Sequence, residues 1–196
     1  MRWEELDRDT LYEGFYNLYR YHLRHQLFAG GTSDVMTREL IDRGHAAGVL
    51  PYDPQRDRVV LIEQFRVGAM ESSKGPWLME VVAGLIDPGE SPEEVVRRES
   101  QEEAGLELGE LIHIHDYYSS PGGSNERITL YAARVDSEGA GGIHGLAHEH
   151  EDIRVHVMSL DEALERLRSG LIDNAMAIIA LQWAALNRER LKQAWG

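Results

Sequence analysis

Gly84-Leu85-Ile86-Asp87-Pro88-Gly89-Glu90-Ser91-Pro92-Glu93-Glu94-Val95-Val96-Arg97-Arg98-Glu99-Ser100-Gln101-Glu102-Glu103-Ala104-Gly105-Leu106 is the stretch that decides the fold. Asp87-Pro88-Gly89 reads as a turn. Ser91 is a good N-cap, Pro92 suits the first helical position, and Glu94 completes a capping box. The helix predicted over 91–104 ends at Gly105, because glycine adopts the left-handed conformation that closes a helix.

Three carboxylates crowd one side of that helix. Glu99 and Glu103 are four residues apart and share a face, and Glu102 lies beside them. Like charges at this spacing destabilise a helix by a few tenths of a kcal/mol each, and a purely structural helix would interleave lysines. Arg98 cannot neutralise all three acids. Stacked carboxylates suit a hard divalent cation with oxygen coordination, Mg²⁺ or Mn²⁺. For any single glutamate, a solvated acidic face is the plain alternative.

The spacing as a whole matches a long motif. Gly84, then Glu90, Arg98-Glu99, Glu102-Glu103, Gly105 and Leu106 stand where the Nudix box requires them. Ser100 departs from it, standing where alanine or an aliphatic residue is usual. The segment thus resembles the Nudix hydrolases. That resemblance implies that Glu99 and Glu103 ligate metal, that Glu102 supports or shares one, and that Ala83 lends its backbone carbonyl. It further implies that Arg98 orients the glutamates and that Gly84 permits a tight loop.

Outward from the box the elements alternate. Ala46–Leu50, Val59–Phe65, Leu78–Ala83, Leu111–Tyr118, Ile128–Val135 and Ile153–Met158 read as strands. Further helices fit 161–169 and 174–193, and Gly139–Gly145, with four glycines, reads as a mobile loop. The fold class is therefore α/β, a sandwich around a mixed sheet. Residues 1–44 are aromatic-rich. The alternation from Phe15 to Phe28 and the run Val35–Ile41 suggest a small antiparallel β region. The chain divides into this N-terminal region, 1–44, too short to form its own core, and a catalytic domain over 45–196.

Composition narrows the function. With 34 acidic against 20 basic residues, the net charge of −14 argues against a nucleic-acid footprint. No apolar run approaches the length of a membrane span, and the acidic start of the chain lacks the apolar core of a signal peptide. The absence of cysteine removes disulfides and thiolate metal sites and fits a cytoplasmic enzyme.

The flanks refine the resemblance. Arg38-Glu39, Arg43-Gly44-His45-Ala46-Ala47, Glu63-Gln64-Phe65-Arg66, Ser120-Pro121-Gly122-Gly123, Glu149-His150-Glu151-Asp152-Ile153 and Ile172-Asp173-Asn174-Ala175 are similar to the bacterial ADP-ribose pyrophosphatase branch of the family. The reaction so implied is metal-dependent hydrolysis of the diphosphate of ADP-ribose to AMP and ribose 5-phosphate. Its substrate positions fall on Phe15, Tyr16, Arg38, Glu39, Arg43, Arg66, Leu85, Ser120, Gly122 and Glu126. Arginines can grip phosphate or stack on adenine, aromatics offer a face, and Glu39 or Glu126 can accept from ribose hydroxyls or the adenine amine. The resemblance assigns the general base to Glu149 and a further metal ligand to Glu151, with His150 the second candidate base. In an extended segment Glu149 and Glu151 would point the same way. A homodimer with exchanged N-terminal regions is also implied. A GDP-mannose or other nucleotide-sugar pyrophosphatase, or a non-catalytic ADP-ribose sensor, are the competing expectations.

Overall fold

The computed structural model describes residues 1–196. Its strands are β1 (Trp3–Glu13), β2 (Asn17–His25), β3 (Met36–Asp42), β4 (Ala46–Asp53), β5 (Arg58–Phe65), β6 (Trp77–Glu80), β7 (Val82–Leu85), β8 (Leu111–Tyr118), β9 (Arg127–Arg134), β10 (Gly142–His144) and β11 (Ile153–Ser159). Its helices are α1 (Pro92–Ala104), α2 (Leu160–Arg168) and α3 (Ala175–Trp195). Contacts divide the chain into two units, one of Met1–His45 with Tyr117–Ile128, the other of Ala46–Asp116 with Thr129–Gly196.

In the first unit, β1, β2 and β3 form an antiparallel sheet with β2 in the centre. The small antiparallel region expected there is present, and it begins earlier than expected, at Trp3. Every residue of β1 is exposed, so no buried–exposed alternation marks it as a strand; pairing with β2 makes it one. The segment Ser120–Asn125 is tied to β3 by hydrogen bonds from Ile41 N–H to Gly123 O and from Asn125 N–H to Ile41 O.

The α/β architecture expected for the rest is also present. An eight-stranded sheet runs β10-β11-β5-β4-β9-β8, with β6 added to β5 and β7 to β4. Alternate residues of its central strands point to opposite faces. Ala47, Val49, Val60 and Ile62 pack with Val95 and Val96 of α1. The intervening Leu50, Tyr52, Val59 and Leu61 are also fully buried, and α3 packs against β4. A sheet covered on both faces reads as continuous apolar runs, which is why β4 and β5 were legible in sequence. The run Leu78–Ala83, read as one strand, is two. The chain breaks at Val81 and changes partner, from Ile62↔Glu80 on β5 to Val49↔Val82 on β4.

The turn between β4 and β5 is an electrostatic anchor. Asp57 has a left-handed backbone (φ 55) and binds Arg188 and Lys192 of α3, with Tyr52 Oη donating to it at 2.7 Å. Burial raises its carboxyl, but Arg188, Tyr52 and Lys192 outweigh that and hold it down at about 2.

Candidate active site

Helix α1 has the ends its sequence predicts. Ser91 accepts the N–H of Glu94, the Glu94 carboxylate accepts the N–H of Ser91 at 2.8 Å, Pro92 opens the first turn, and Gly105 closes the helix at φ 61. Val95 and Val96 fix the helix on the sheet, which sets the angle at which the glutamates emerge. Ser100 is fully buried and its Oγ has no hydrogen-bond partner.

Arg98 organises the acids. Its Nε and Nη2 donate to Glu90 at 2.9 and 3.1 Å, and its Nη1 donates to Glu99 at 2.7 Å and to Glu102 at 3.1 Å. Glu103 is 3% exposed and accepts the backbone N–H of Ala83 at 3.2 Å. Burial, then the charges of Glu99 and Glu151, push the Glu103 carboxyl up to about 8. Glu99 is raised in the same way, by burial first, with Glu102 and Glu151 adding to it against Arg98. Gly84 lies within β7, where a Cβ would collide with the Glu99 carboxylate. Its φ is not left-handed, so glycine serves close approach here rather than the tight loop expected.

Glu151 stands near enough to Glu99 and Glu103 to raise both, although it comes from a distant part of the chain. Its backbone N–H reaches Leu146 O, and its carboxylate accepts the Leu146 N–H at 3.1 Å. The preceding glycine-rich segment is tied to α1 through Gly145 N–H to Glu102 O at 3.2 Å, and three of its residues form the short strand β10 rather than open loop. Glu149 and Glu151 are not on an extended segment as expected. Ala147–Glu149 is a 3₁₀ turn closed by a left-handed His150 (φ 60), because Glu149 and His150 donate their N–H groups back to Leu146 and Ala147. The Glu149 side chain is 56% exposed, with His148 Nε2 3.5 Å from it.

The acids fit a divalent cation by their chemistry. They are hard oxygen donors, partly buried, and their mutual repulsion is what a cation relieves. They do not form a ready cage, since no group of three or more acidic or histidine side chains is drawn together tightly enough to enclose an ion. Arg98 and the Ala83 N–H hold Glu99, Glu102 and Glu103 instead.

Two other expected positions lie in the same unit. Leu85 is half-buried on β7 opposite Ala46. Arg66 follows β5 and donates from Nε to Glu80 at 2.8 Å, and its charge pulls the Glu103 carboxyl downward. Glu80 is a half-buried acid that the sequence did not single out; the signal was a lone carboxylate within the apolar run Trp77–Val82.

The remaining expected positions lie in the first unit. Arg43 Nε is 3.2 Å from Glu126 Oε1, and its guanidinium stands 5.1 Å over the Tyr16 ring. Phe15 packs on Tyr16 with ring centroids 4.8 Å apart. Phe15, Tyr16, Arg43 and the buried Glu126 are thus one cluster. Ser120 and Gly122 form the turn that leads to Glu126, with Ser120 O accepting the N–H groups of Gly123 and Ser124. Glu39 pairs with Arg20 at 2.9 Å, and Arg38 donates to the Thr37 carbonyl, apart from that cluster's bonds.

Comparison with known proteins shows the family of the chain. Residues 42–176 match the model of the NUDIX domain, and the chain belongs to the Nudix family. It is 51% identical over 195 residues to the ADP-ribose pyrophosphatase of Haemophilus influenzae, a match spanning 98% of this chain and 90% of that one. It is 50% identical over 192 residues to the ADP-ribose pyrophosphatase of Escherichia coli K12, spanning 98% and 92%. The GDP-mannose pyrophosphatase of Cronobacter sakazakii is 39% identical over 146 residues, 74% of this chain and 75% of that one. A crystal structure described as an ADP compounds hydrolase shares the fold, with a TM-score of 0.73 at 22% identity, covering 99% of this chain and 96% of that one.

Proposed function

We propose that this chain hydrolyses the diphosphate of ADP-ribose to AMP and ribose 5-phosphate with Mg²⁺, or Mn²⁺ in its place. The observation that carries this reading is the buried Glu103 gathered with the partly exposed Glu99 and Glu151, a set of acids that a fold has no structural reason to bring together. Glu99, Glu102, Glu103, Glu151 and the Ala83 carbonyl would hold the metal. Bound there, a divalent cation neutralises the diphosphate and lowers the pKa of the attacking water. Glu149 takes the proton from that water; its exposed place on a short turn suits a base that closes on the substrate. Arg66 grips the diphosphate, with Leu85 beside the box. Phe15, Tyr16, Arg38, Glu39, Arg43, Ser120, Gly122 and Glu126 receive the adenosine and the ribose.

The choice of ADP-ribose over GDP-mannose rests on extent. Identity to the ADP-ribose pyrophosphatases spans 98% of the chain, whereas that to the GDP-mannose pyrophosphatase spans 74%. Residues 1–44 act as a dimerisation and pocket-forming region and 45–196 as the catalytic domain. The fully exposed β1, and the exposed Trp3, Phe15 and Phe28, support a homodimer with exchanged N-terminal regions. No helix is long and apolar enough to cross a membrane, and the net charge of −14 disfavours nucleic acid; the setting we assign is the cytoplasm. The test is turnover of ADP-ribose by the purified protein with Mg²⁺, with products identified by mass. AMP and ribose 5-phosphate, abolished by a chelator and restored by Mg²⁺, are expected; intact ADP-ribose contradicts the reading.

A further inference from the structure

Glu80 ends β6, paired across from Ile62, and its side chain is 16% exposed. A carboxylate largely withdrawn from water is costly unless it does something a neutral residue cannot. Its charged partner is Arg66, whose Nε donates to Glu80 Oε2 at 2.8 Å. Burial raises the Glu80 carboxyl, and Arg66 first, then the Gln64 side chain, draw it back down. The backbone of Arg66 is held as well, its N–H donating to Pro76 O at 2.8 Å. Nε is thereby engaged, and neither Nη nitrogen of Arg66 has a protein partner.

We infer that Glu80 is a positioning residue that holds the Arg66 guanidinium by Nε and so presents its two Nη groups to the substrate's diphosphate. The inference rests on the proposed role of Arg66 in binding that diphosphate. A guanidinium offers a planar fork, and fixing one edge aims the other at an anion with less ordering cost on binding. Glu80 also competes with the negative field of Glu103, which Arg66 already feels. Without Glu80, the arginine swings toward the carboxylates of α1 and is lost to the substrate.

The test is a double-mutant cycle on the full-length protein with Mg²⁺ and ADP-ribose. Glu80→Ala is expected to raise KM about tenfold with kcat changed less than about threefold, and Arg66→Ala to raise KM at least as much. The double variant should be no worse than Arg66→Ala, since Glu80 acts through that arginine. Glu80→Gln keeps an acceptor oxygen in the same volume and should fall between wild type and Glu80→Ala; it carries the test if the alanine variant does not fold. A merely structural role would lower the folded fraction, which scales kcat and leaves KM unmoved. Wild-type KM in Glu80→Gln and Glu80→Ala, or KM effects that multiply in the double variant, overturn the inference alone. A wild-type protein that leaves ADP-ribose intact removes the functional reading and the inference with it.

Discussion

The carboxylate of Glu103 accepts the backbone N–H of Ala83 at 3.2 Å, so the acid at the end of α1 is fastened to the strand that enters the box. The bond places a buried carboxyl beside Glu99 and within reach of Glu151, whose charges add to burial in holding its proton. Function and stability therefore pull apart here. Glu103→Gln keeps an acceptor for Ala83 and, unlike a carboxyl pushed up to about 8, needs no proton taken up on folding at pH 7. In chelator, its melting temperature should rise by a few degrees, on the order of 1 kcal/mol. With Mg²⁺ its kcat should fall about a hundredfold or more. Calorimetry beside steady-state kinetics checks both; a less stable variant in chelator would show that Glu103 is a structural acid.

Glu149 lies outside the box helix, on the Ala147–Glu149 turn. Glu149→Gln should lower kcat on the order of 10²-fold with KM nearly unchanged, the pattern of a lost general base. Near-normal turnover would remove Glu149 from that role, and a large loss in His150→Ala instead would transfer it to His150.

Much of this was legible before any coordinates. Ser91, Pro92, Glu94 and Gly105 are local signals with local causes, so the limits of α1 could be read directly. The clustered glutamates of the box were legible because a 3.6-residue period puts Glu99 and Glu103 on one face. What depended on tertiary pairing was not. β1 carries no burial pattern, and Val81 interrupts an apolar run only because two strands claim its neighbours. The turn at Ala147–Glu149 replaced an extended segment for want of any strand partner signal in its residues, and Glu80 gained meaning only beside Arg66.

Ser100 is the one departure from the box, and its buried hydroxyl has no partner. Ser100→Ala removes an unsatisfied polar atom and adds helix propensity. Unfolding in urea should show it more stable by about 1 kcal/mol with activity unchanged. A loss of stability would mean that the hydroxyl is bonded in solution.

Asp57 links the β4–β5 turn to α3, and its carboxyl is held at about 2 against an ordinary 3.8. A lowered carboxyl contributes stability that is present above the unfolded value and lost as pH falls through the folded one, here between about 4 and 2. Asparagine tolerates the left-handed backbone at this position, so Asp57→Asn tests the charge rather than the turn. It should cost about 2 kcal/mol at pH 7, and roughly half that at pH 3, in paired urea titrations. An equal cost at both pH values would show that the ion pairs with Arg188 and Lys192 contribute nothing.

In the proposed function, the acids of α1 and the Glu149–Glu151 loop serve ADP-ribose. The most direct measurement is kcat/KM of the purified protein with Mg²⁺ for ADP-ribose, GDP-mannose, NADH and diadenosine polyphosphates, with the products of each identified. ADP-ribose should be preferred by at least about tenfold, giving AMP and ribose 5-phosphate. Preference for GDP-mannose, or cleavage of none of them, would contradict it.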